Sequence, residues 1–374
     1  MITPMDISRL HPMARKALDP SAPEKLRIGA ARGILPGLPG ADVVSVVAQL
    51  TASPDAQIAE SAAKTLAKLP PPILEAAFSG ELHCSVLDAL ARHNLGDDAL
   101  LVRVLDNSGI DSDTVAFLAE IGSEGLCEHI AINEKRLLEC PVIAEKLYMN
   151  PRVRMSTADR VLELTVRNGI ELNIPAYKEA ATAIRDELIA EPSEEPTPDD
   201  ILYQQVSSLA ESAGIDPETE NVVEIDDEGQ EAIIKKLVPI WVQIGSMTIS
   251  QKIRLALIGS GTERMLLVRD KNRLVSCAAV RSPKIKENEI VQISSSKAVS
   301  DDVLRIIAAN REWTQNHQVK YNLVCNPRTP LTFASQLIPH LRDHELKAIA
   351  KSKNVTGAIS QMARHHLMKK QQRG

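Results

Sequence analysis

Residues 301–308 read DDVLRIIA, and residues 343–350 read DHELKAIA. Asp, Leu, a basic residue, Ile and Ala recur in place at an offset of 42. A second match lies upstream. Ser282-Pro283-Lys284 answers Asn326-Pro327-Arg328 at an offset of 44, and an apolar segment precedes each, LVSCAAV (274–280) and VKYNLVC (319–325). A segment that recurs at a fixed interval of this size marks a repeated supersecondary unit. Each unit is expected to hold a helix, a Ser/Asn-Pro-basic corner, a second helix and an Asp-led third helix.

The stretch LALIGSGTERMLLVRD (255–270) tests this reading, because a glycine loop that cradles phosphate would point to an enzyme or a nucleotide switch. A dinucleotide loop needs a third glycine where Arg264 stands, and a Walker loop needs Gly-Lys-Ser/Thr. Ahead of the glycines, Thr248 and Gln251 have capping-box spacing, and Ile249, Ile253, Ala256 and Leu257 share one helical face. The end of such a helix presents carbonyls, the wrong polarity for phosphate. Gly259-Ser260-Gly261 is therefore expected to be a corner, a glycine C-cap followed by Thr262 capping the next helix. Ile253-Arg254 and Gly259 then correspond to Leu304-Arg305 and Asn310, 51 residues later.

Residues 41–189 also read as helices in succession. ADVVSVVAQLTASPDAQIAESAAKTLAKLPPP (41–72) breaks at Ser53-Pro54, a cap followed by proline at the first helical position. CPVIAEKLYMNP (140–151) predicts a helix from Pro141 that ends before Pro151. RMSTADRVLELTVRNG (154–169) predicts one capped by Ser156, with Asp159 at the third helical position and Gly169 as the stop. The fold class expected is all-α, with two α-solenoid (helical-repeat) domains joined by an acidic linker. The boundaries are 1–40, a loosely ordered Pro/Gly-rich lead-in with one short helix; 41–190, the N-terminal repeat domain; 191–230, the acidic linker; and 231–374, the basic C-terminal repeat domain.

Composition agrees. Only 2% of the 374 residues are aromatic, and small aliphatic residues suit closely packed helices. No segment is apolar enough for a membrane span, so no integral membrane association is expected. Cys84, Cys127, Cys140, Cys277 and Cys325 are odd in number and scattered, which fits reduced thiols and a cytoplasmic location. The net charge of -6 hides an asymmetry: residues 191–230 hold 13 acidic and no basic residues, while residues 231–374 carry about +14.

A period of about 42 to 44 residues with helical units resembles HEAT and armadillo-type arrays, and the Ser/Asn-Pro corners resemble the leucine-rich-repeat variant. The resemblance covers residues 248–366, and more weakly the N-terminal half through Ser53-Pro54 and Asn150-Pro151. It implies an architecture and no particular function. The leucine-rich-repeat-variant family includes members with an accompanying cysteine-bound iron–sulfur cluster; this chain has no clustered cysteines, so that cofactor is not carried over.

Catalytic patterns do not stand out. His83-Cys84, Cys127-x-His129 and the His340/His344 pair each supply too few ligands for zinc. Asp343-His344-Glu345 falls in the first turn of a predicted helix, where acidic side chains complement the dipole. No catalytic residue, metal or cofactor is expected, and the chain is read as a non-enzyme. The binding signal is basic: Lys252, Arg254, Arg264, Arg269, Lys271, Arg273, Lys284, Lys286, Arg328, Lys351 and Lys353 would line up along stacked corners. The expected function is a protein–protein interaction scaffold or adaptor that binds an acidic protein partner. The first alternative is a HEAT-like nucleic-acid-binding protein contacting phosphates through the same stripe. The second is a nucleotide-binding switch at Gly259–Gly261.

Overall fold

The computed structural model describes residues 5–185, 187–189, 191–215, 222–225, 231–352 and 355–371. They form 24 α-helices and one two-stranded antiparallel sheet, so the fold class is all-α. No described helix is long and apolar enough to cross a membrane.

The chain divides into two compact units. Unit 1 is Met1–Val153 with Arg167–Leu172, and unit 2 is Arg154–Val166 with Asn173–Gly374. Unit 1 carries α1 (Pro12–Leu18), α2 (Glu24–Ala31), α3 (Gly40–Leu50), α4 (Ala56–Leu66), α5 (Pro71–Phe78) and α6 (Cys84–His93). It continues with α7 (Asp98–Asp106), α8 (Ser112–Ile121), α9 (Glu124–Ala131), α10 (Glu134–Glu139) and α11 (Pro141–Met149). Unit 2 begins with α12 (Met155–Arg167), α13 (Tyr177–Ile184) and α14 (Pro198–Ala213), followed by the hairpin strands β1 (Val223–Ile225) and β2 (Glu231–Ile233). Then come α15 (Val238–Ser246), α16 (Ile249–Ile258), α17 (Gly261–Leu267), α18 (Arg273–Val280), α19 (Glu287–Ser295) and α20 (Asp301–Ala309). The chain ends with α21 (His317–Cys325), α22 (Leu331–Leu337), α23 (Asp343–Lys351) and α24 (Gly357–Gln371).

The recurring sequence segments fold alike. α18, the Ser282 corner, α19 and α20 repeat as α21, the Asn326 corner, α22 and α23. Ser300 caps α20, whose first turn is acidic, and Asp343 and Glu345 occupy the first turn of α23. Within unit 2, α16 packs on α18, α18 on α20, and α19 on α21. Within unit 1, α3 packs on α4, α5 and α6, and α8 on α11.

The corners share one hydrogen-bond scheme. A proline holds the residue before it in extended backbone, which ends the helix there; Asn150 has ψ 120° and Asn326 ψ 119°. The amide side chain then turns back. Asn326 Nδ2 donates to Ser294 O at 3.0 Å and Ser296 O at 2.8 Å, at the end of α19. Asn150 Nδ2 donates to Ala119 O at 2.9 Å and Gly122 O at 3.3 Å, at the end of α8. Asn107 Nδ2 donates to Gly80 O at 3.1 Å beyond α5, and Ser282 Oγ to Leu257 O at 3.1 Å in α16. The basic residue two positions on completes the set: Arg152 reaches Ile121 O, Lys284 reaches Ile258 O and Arg328 reaches Val299 O. The last four carbonyls of a helix lack partners within it. Each corner supplies donors to an earlier helix end, and cations there also complement the dipole.

Three local expectations change. The cap of α17 is Ser260, not Thr262: Ser260 Oγ accepts from Glu263 N, and Ser260 N donates back to Glu263 Oε2. Thr262 is buried and donates to Ile215 O. Gly259 is the C-cap of α16 as expected, with ordinary φ, -66°; a Cβ there would meet Leu255 O at 2.4 Å. α4 is capped by Asp55, two residues beyond Ser53, because its carboxylate reaches both Gln57 N and Ile58 N. α12 starts at Met155, so Ser156 lies inside it and gives both its N–H and its hydroxyl to Asp200, at 2.9 Å each. A carboxylate distant in sequence here outcompetes the local hydroxyl.

A short helix is expected at 199–212 within the acidic strip and one in the lead-in; the first is present and the lead-in holds two α-helices. Residues 198–213 of the acidic strip form α14, with Tyr203, Val206, Ala210 and Ala213 buried. The lead-in holds α1 and α2, with Ala14, Ala17, Ala30 and Ala31 buried.

Replacing Asn326 by Ala strands two buried carbonyls, each loss costing about 1–3 kcal/mol. Chemical denaturation is expected to show Asn326→Ala destabilised by about 2 kcal/mol or more, and Asn326→Asp more so. A shift below about 0.5 kcal/mol, the scatter of ordinary surface substitutions, would show that the corner does not hold the stack.

Candidate functional site

The basic residues expected to form a stripe separate into two populations. Arg254 is fully buried (0% exposed), with Nη1 3.6 Å from Met155 Sδ and the guanidinium 5.5 Å from the Tyr203 ring centroid. Arg264 is buried in a bidentate pair with Glu289, at 2.9 and 2.8 Å, and also donates to Gly259 O and Lys284 O. Arg269 is enclosed against Glu231 and donates to Met265 O. Lys252 pairs with Asp270 at 3.3 Å, both mostly buried. These four are fastenings within unit 2, closed to a partner. They correct the expectation that charge alone places a side chain on the surface. Lys353 lies outside the described residues.

Lys271, Arg273, Lys284, Lys286, Arg328 and Lys351 are exposed. Lys284 and Arg328 also serve the corner bonds above. Of this exposed set, Arg273 lines a groove of about 260 Å³ over α13, α18 and α20 with three other cations, whereas Lys286 shares a cavity with the buried, paired Arg264. Lys178, Arg281 and Arg305, the companions of Arg273, were not anticipated from the sequence. The signal was periodicity rather than density. Arg273, Leu274, Cys277 and Arg281 follow helical spacing on α18, as do Asp302, Arg305 and Ile306 on α20.

Two carboxylates thread the four cations. Arg273 Nε is 2.7 Å from Asp302 Oδ2, and Arg305 stands at 3.7 Å from Asp302 and 4.0 Å from Asp301. Arg281 pairs with Glu179 on α13. Lys178 makes no ion pair among the described residues. Leu274, Cys277 and Ile306 form the apolar part, and burial pushes the Cys277 thiol up from its usual value, which keeps it protonated. Such a surface can bind carboxylates through unused guanidinium edges.

At Gly259–Gly261 the start of α17 borders a cavity of about 290 Å³, where the Glu263 carboxylate accepts from Ser260 N, Ser260 Oγ accepts from Glu263 N, and burial raises the Glu263 carboxyl. A phosphate there would meet an acidic side chain in its place.

A second cluster is polar and structural. Asp159 Oδ1 accepts from Ser250 Oγ at 2.5 Å, while Glu187 accepts from Ser250 N at 2.9 Å and from Thr248 Oγ1 at 3.1 Å. Two carboxyls thus meet the first turn of α16. Burial pushes Asp159 up to about 7; the Ser250 bond and Arg254 oppose this, and Glu187 adds to it. Asp200 goes the other way. Burial would raise it, but four bonds from Ser156 and Thr197 hold it below the ordinary carboxylate range.

No family model matches the chain, and no curated protein matches it.

The raised Asp159 favours the folded state while protonated. That contribution is complete below about pH 4, the unfolded value, and fades as pH rises through about 7. The stability of Asp159→Asn relative to the natural chain is therefore expected to increase from pH 5 to pH 8, read from urea midpoints. A flat difference would contradict the raised pKa. For the Arg264–Glu289 pair, Arg264→Met alone is expected to cost about 3–5 kcal/mol by leaving a buried carboxylate unpaired, and Arg264→Met with Glu289→Leu to recover most of it. Equal losses in the single and double variants would refute that account.

Proposed function

We propose that this chain is a non-enzymatic protein–protein interaction scaffold or adaptor, built as a HEAT-like α-solenoid, that binds an acidic partner through the cations of unit 2. The observation that carries this reading is the groove over α13, α18 and α20, where Lys178, Arg273, Arg281 and Arg305 meet two carboxylates. The solenoid part draws support from the corners. Asn107 and Asn150 in unit 1, and Ser282 and Asn326 in unit 2, each fasten to a helix end some 25 to 32 residues earlier. Neighbour-to-neighbour fastening of this kind is what a repeat array uses in place of one central core. A rigid stack with a cationic groove steers an acidic ligand and fixes its register more than it adds raw affinity.

Affinity capture from the native host at moderate salt, with cross-linking, tests this. The natural chain is expected to retain an acidic protein cross-linked to α13, α18 or α20, and Arg273→Glu with Arg305→Glu to lose it. Equal retention by both chains would refute the reading. Capture abolished by nuclease would favour nucleic acid instead.

A further inference from the structure

We propose that the groove over α18 seats an extended acidic peptide with Asp or Glu at positions i and i+4 and an aliphatic residue at i+2. This rests on the acidic-partner reading above and specifies what that partner presents.

The groove's own dimensions lead there. Arg273 is the first residue of α18 and Arg281 is its C-cap. Eight residues of helix place them about 12 Å apart along the axis at about 1.5 Å per residue. An extended chain advances about 3.3 Å per residue, so carboxylates four residues apart span about 13 Å. In that conformation positions i, i+2 and i+4 point to one side. The two ends of the peptide motif meet the two arginines, and the middle side chain falls on Leu274, Cys277 and Ile306. The Cys277 side is a protonated, apolar floor, so an aliphatic residue is the matching chemistry.

The arginines have donors to spare. Arg273 commits Nε to Asp302, and a guanidinium carries five N–H groups in a fork that matches a carboxylate. Arg273 remains 72% exposed and Arg281 42%, and both line the groove. Arg305 from α20 and Lys178 from α13 flank the seat and add attraction without fixing register.

Nucleic acid fits less well. Glu179 and Asp302 stand among the cations and would repel a continuous phosphate backbone. None of the lining residues is aromatic, which removes the stacking platform that single strands use. At about 260 Å³ the cavity is also smaller than the roughly 300–1,000 Å³ that small-molecule and cofactor sites occupy, and suits a few side chains.

Fluorescence anisotropy on the full chain decides it. The probe is a labelled peptide containing Glu-Ser-Leu-Ser-Glu. Its controls move the second Glu to i+3 or to i+7, replace Leu by Ser, or substitute a single-stranded oligonucleotide. Binding of the first peptide is expected to weaken about tenfold or more in each peptide control and in Arg273→Ala and Arg281→Ala. Arg281→Lys is expected to fall between, since it keeps the charge and loses the fork. Lys68→Ala, in unit 1 and outside the candidate set, should bind as the natural chain does, and thermal melting identifies any variant that fails to fold. Equal affinity across the peptide spacings, tighter binding of the i+7 peptide, loss with Lys68→Ala, or preferential binding of the oligonucleotide would each overturn the inference. Poly-glutamate separates the two levels. If it binds the full chain and ignores the groove variants, the seat is wrong and the acidic-partner reading stands. If it fails to bind at low salt, that reading falls as well.

Discussion

A helix that ends inside a protein leaves carbonyl groups facing an interior that offers them nothing. This chain meets that constraint repeatedly and with one device, a buried asparagine or serine at a helix–helix corner. At Asn150, Ser282 and Asn326 proline sets the backbone and a cation two residues on covers a further carbonyl; at Asn107 the side chain turns back without either. The local half of the device is uniform. Asn107, Asn150, Ser282 and Asn326 each accept from the backbone N–H two residues on. One side chain therefore shapes its own turn and fastens a helix end elsewhere. The small-aliphatic core follows from this, because closely spaced helices leave little room for rings. Tyr148 and Tyr203 are the aromatic residues that do enter it.

Buried charge makes up the second layer of specification. The Arg264–Glu289 pair, Arg269 with Glu231, and Asp200 with Ser156 and Thr197 tie together segments that are distant in sequence. Glu231, on β2, also receives Ser296 Oγ and Lys297 N, so the hairpin strand holds the end of α19. Pairs of this kind add less stability than packed apolar side chains would, and they tolerate few alternative registers. In a protein of similar, slippery helices, that selectivity is the more useful property.

How much was legible in advance follows from these two layers. The all-α class and the recurring unit were readable, since proline corners and Asp-led helices leave marks in sequence. α11 runs from Pro141 and stops before Pro151, as its spacing predicts. The fate of the basic residues was not readable. Arg264 and Arg273 look alike in sequence, yet one is sealed against Glu289 and the other is 72% exposed, because Glu289 lies 25 residues away and nothing local announces it. The groove shows the same limit. Lys178 on α13 and Arg305 on α20 are separated by more than a hundred residues and meet only through α18. The cap of α12 was not readable because Asp200, which takes both the N–H and the hydroxyl of Ser156, lies 44 residues away.

The proline that follows Asn150 and Asn326 has a chemical meaning as well as a geometric one. Asparagine ages when the backbone nitrogen of the following residue attacks its side-chain amide, closes a ring, and leaves aspartate behind. Proline's nitrogen carries no hydrogen and is already fully substituted. Asn150 and Asn326, whose loss would turn a donor into a carboxylate facing carbonyls, are thereby protected for the lifetime of the molecule. Asn107, followed by Ser108, has no such protection. Of the three asparagine corners described, wear begins there, and the fold's durability is set by the residue after the contact rather than by the contact itself.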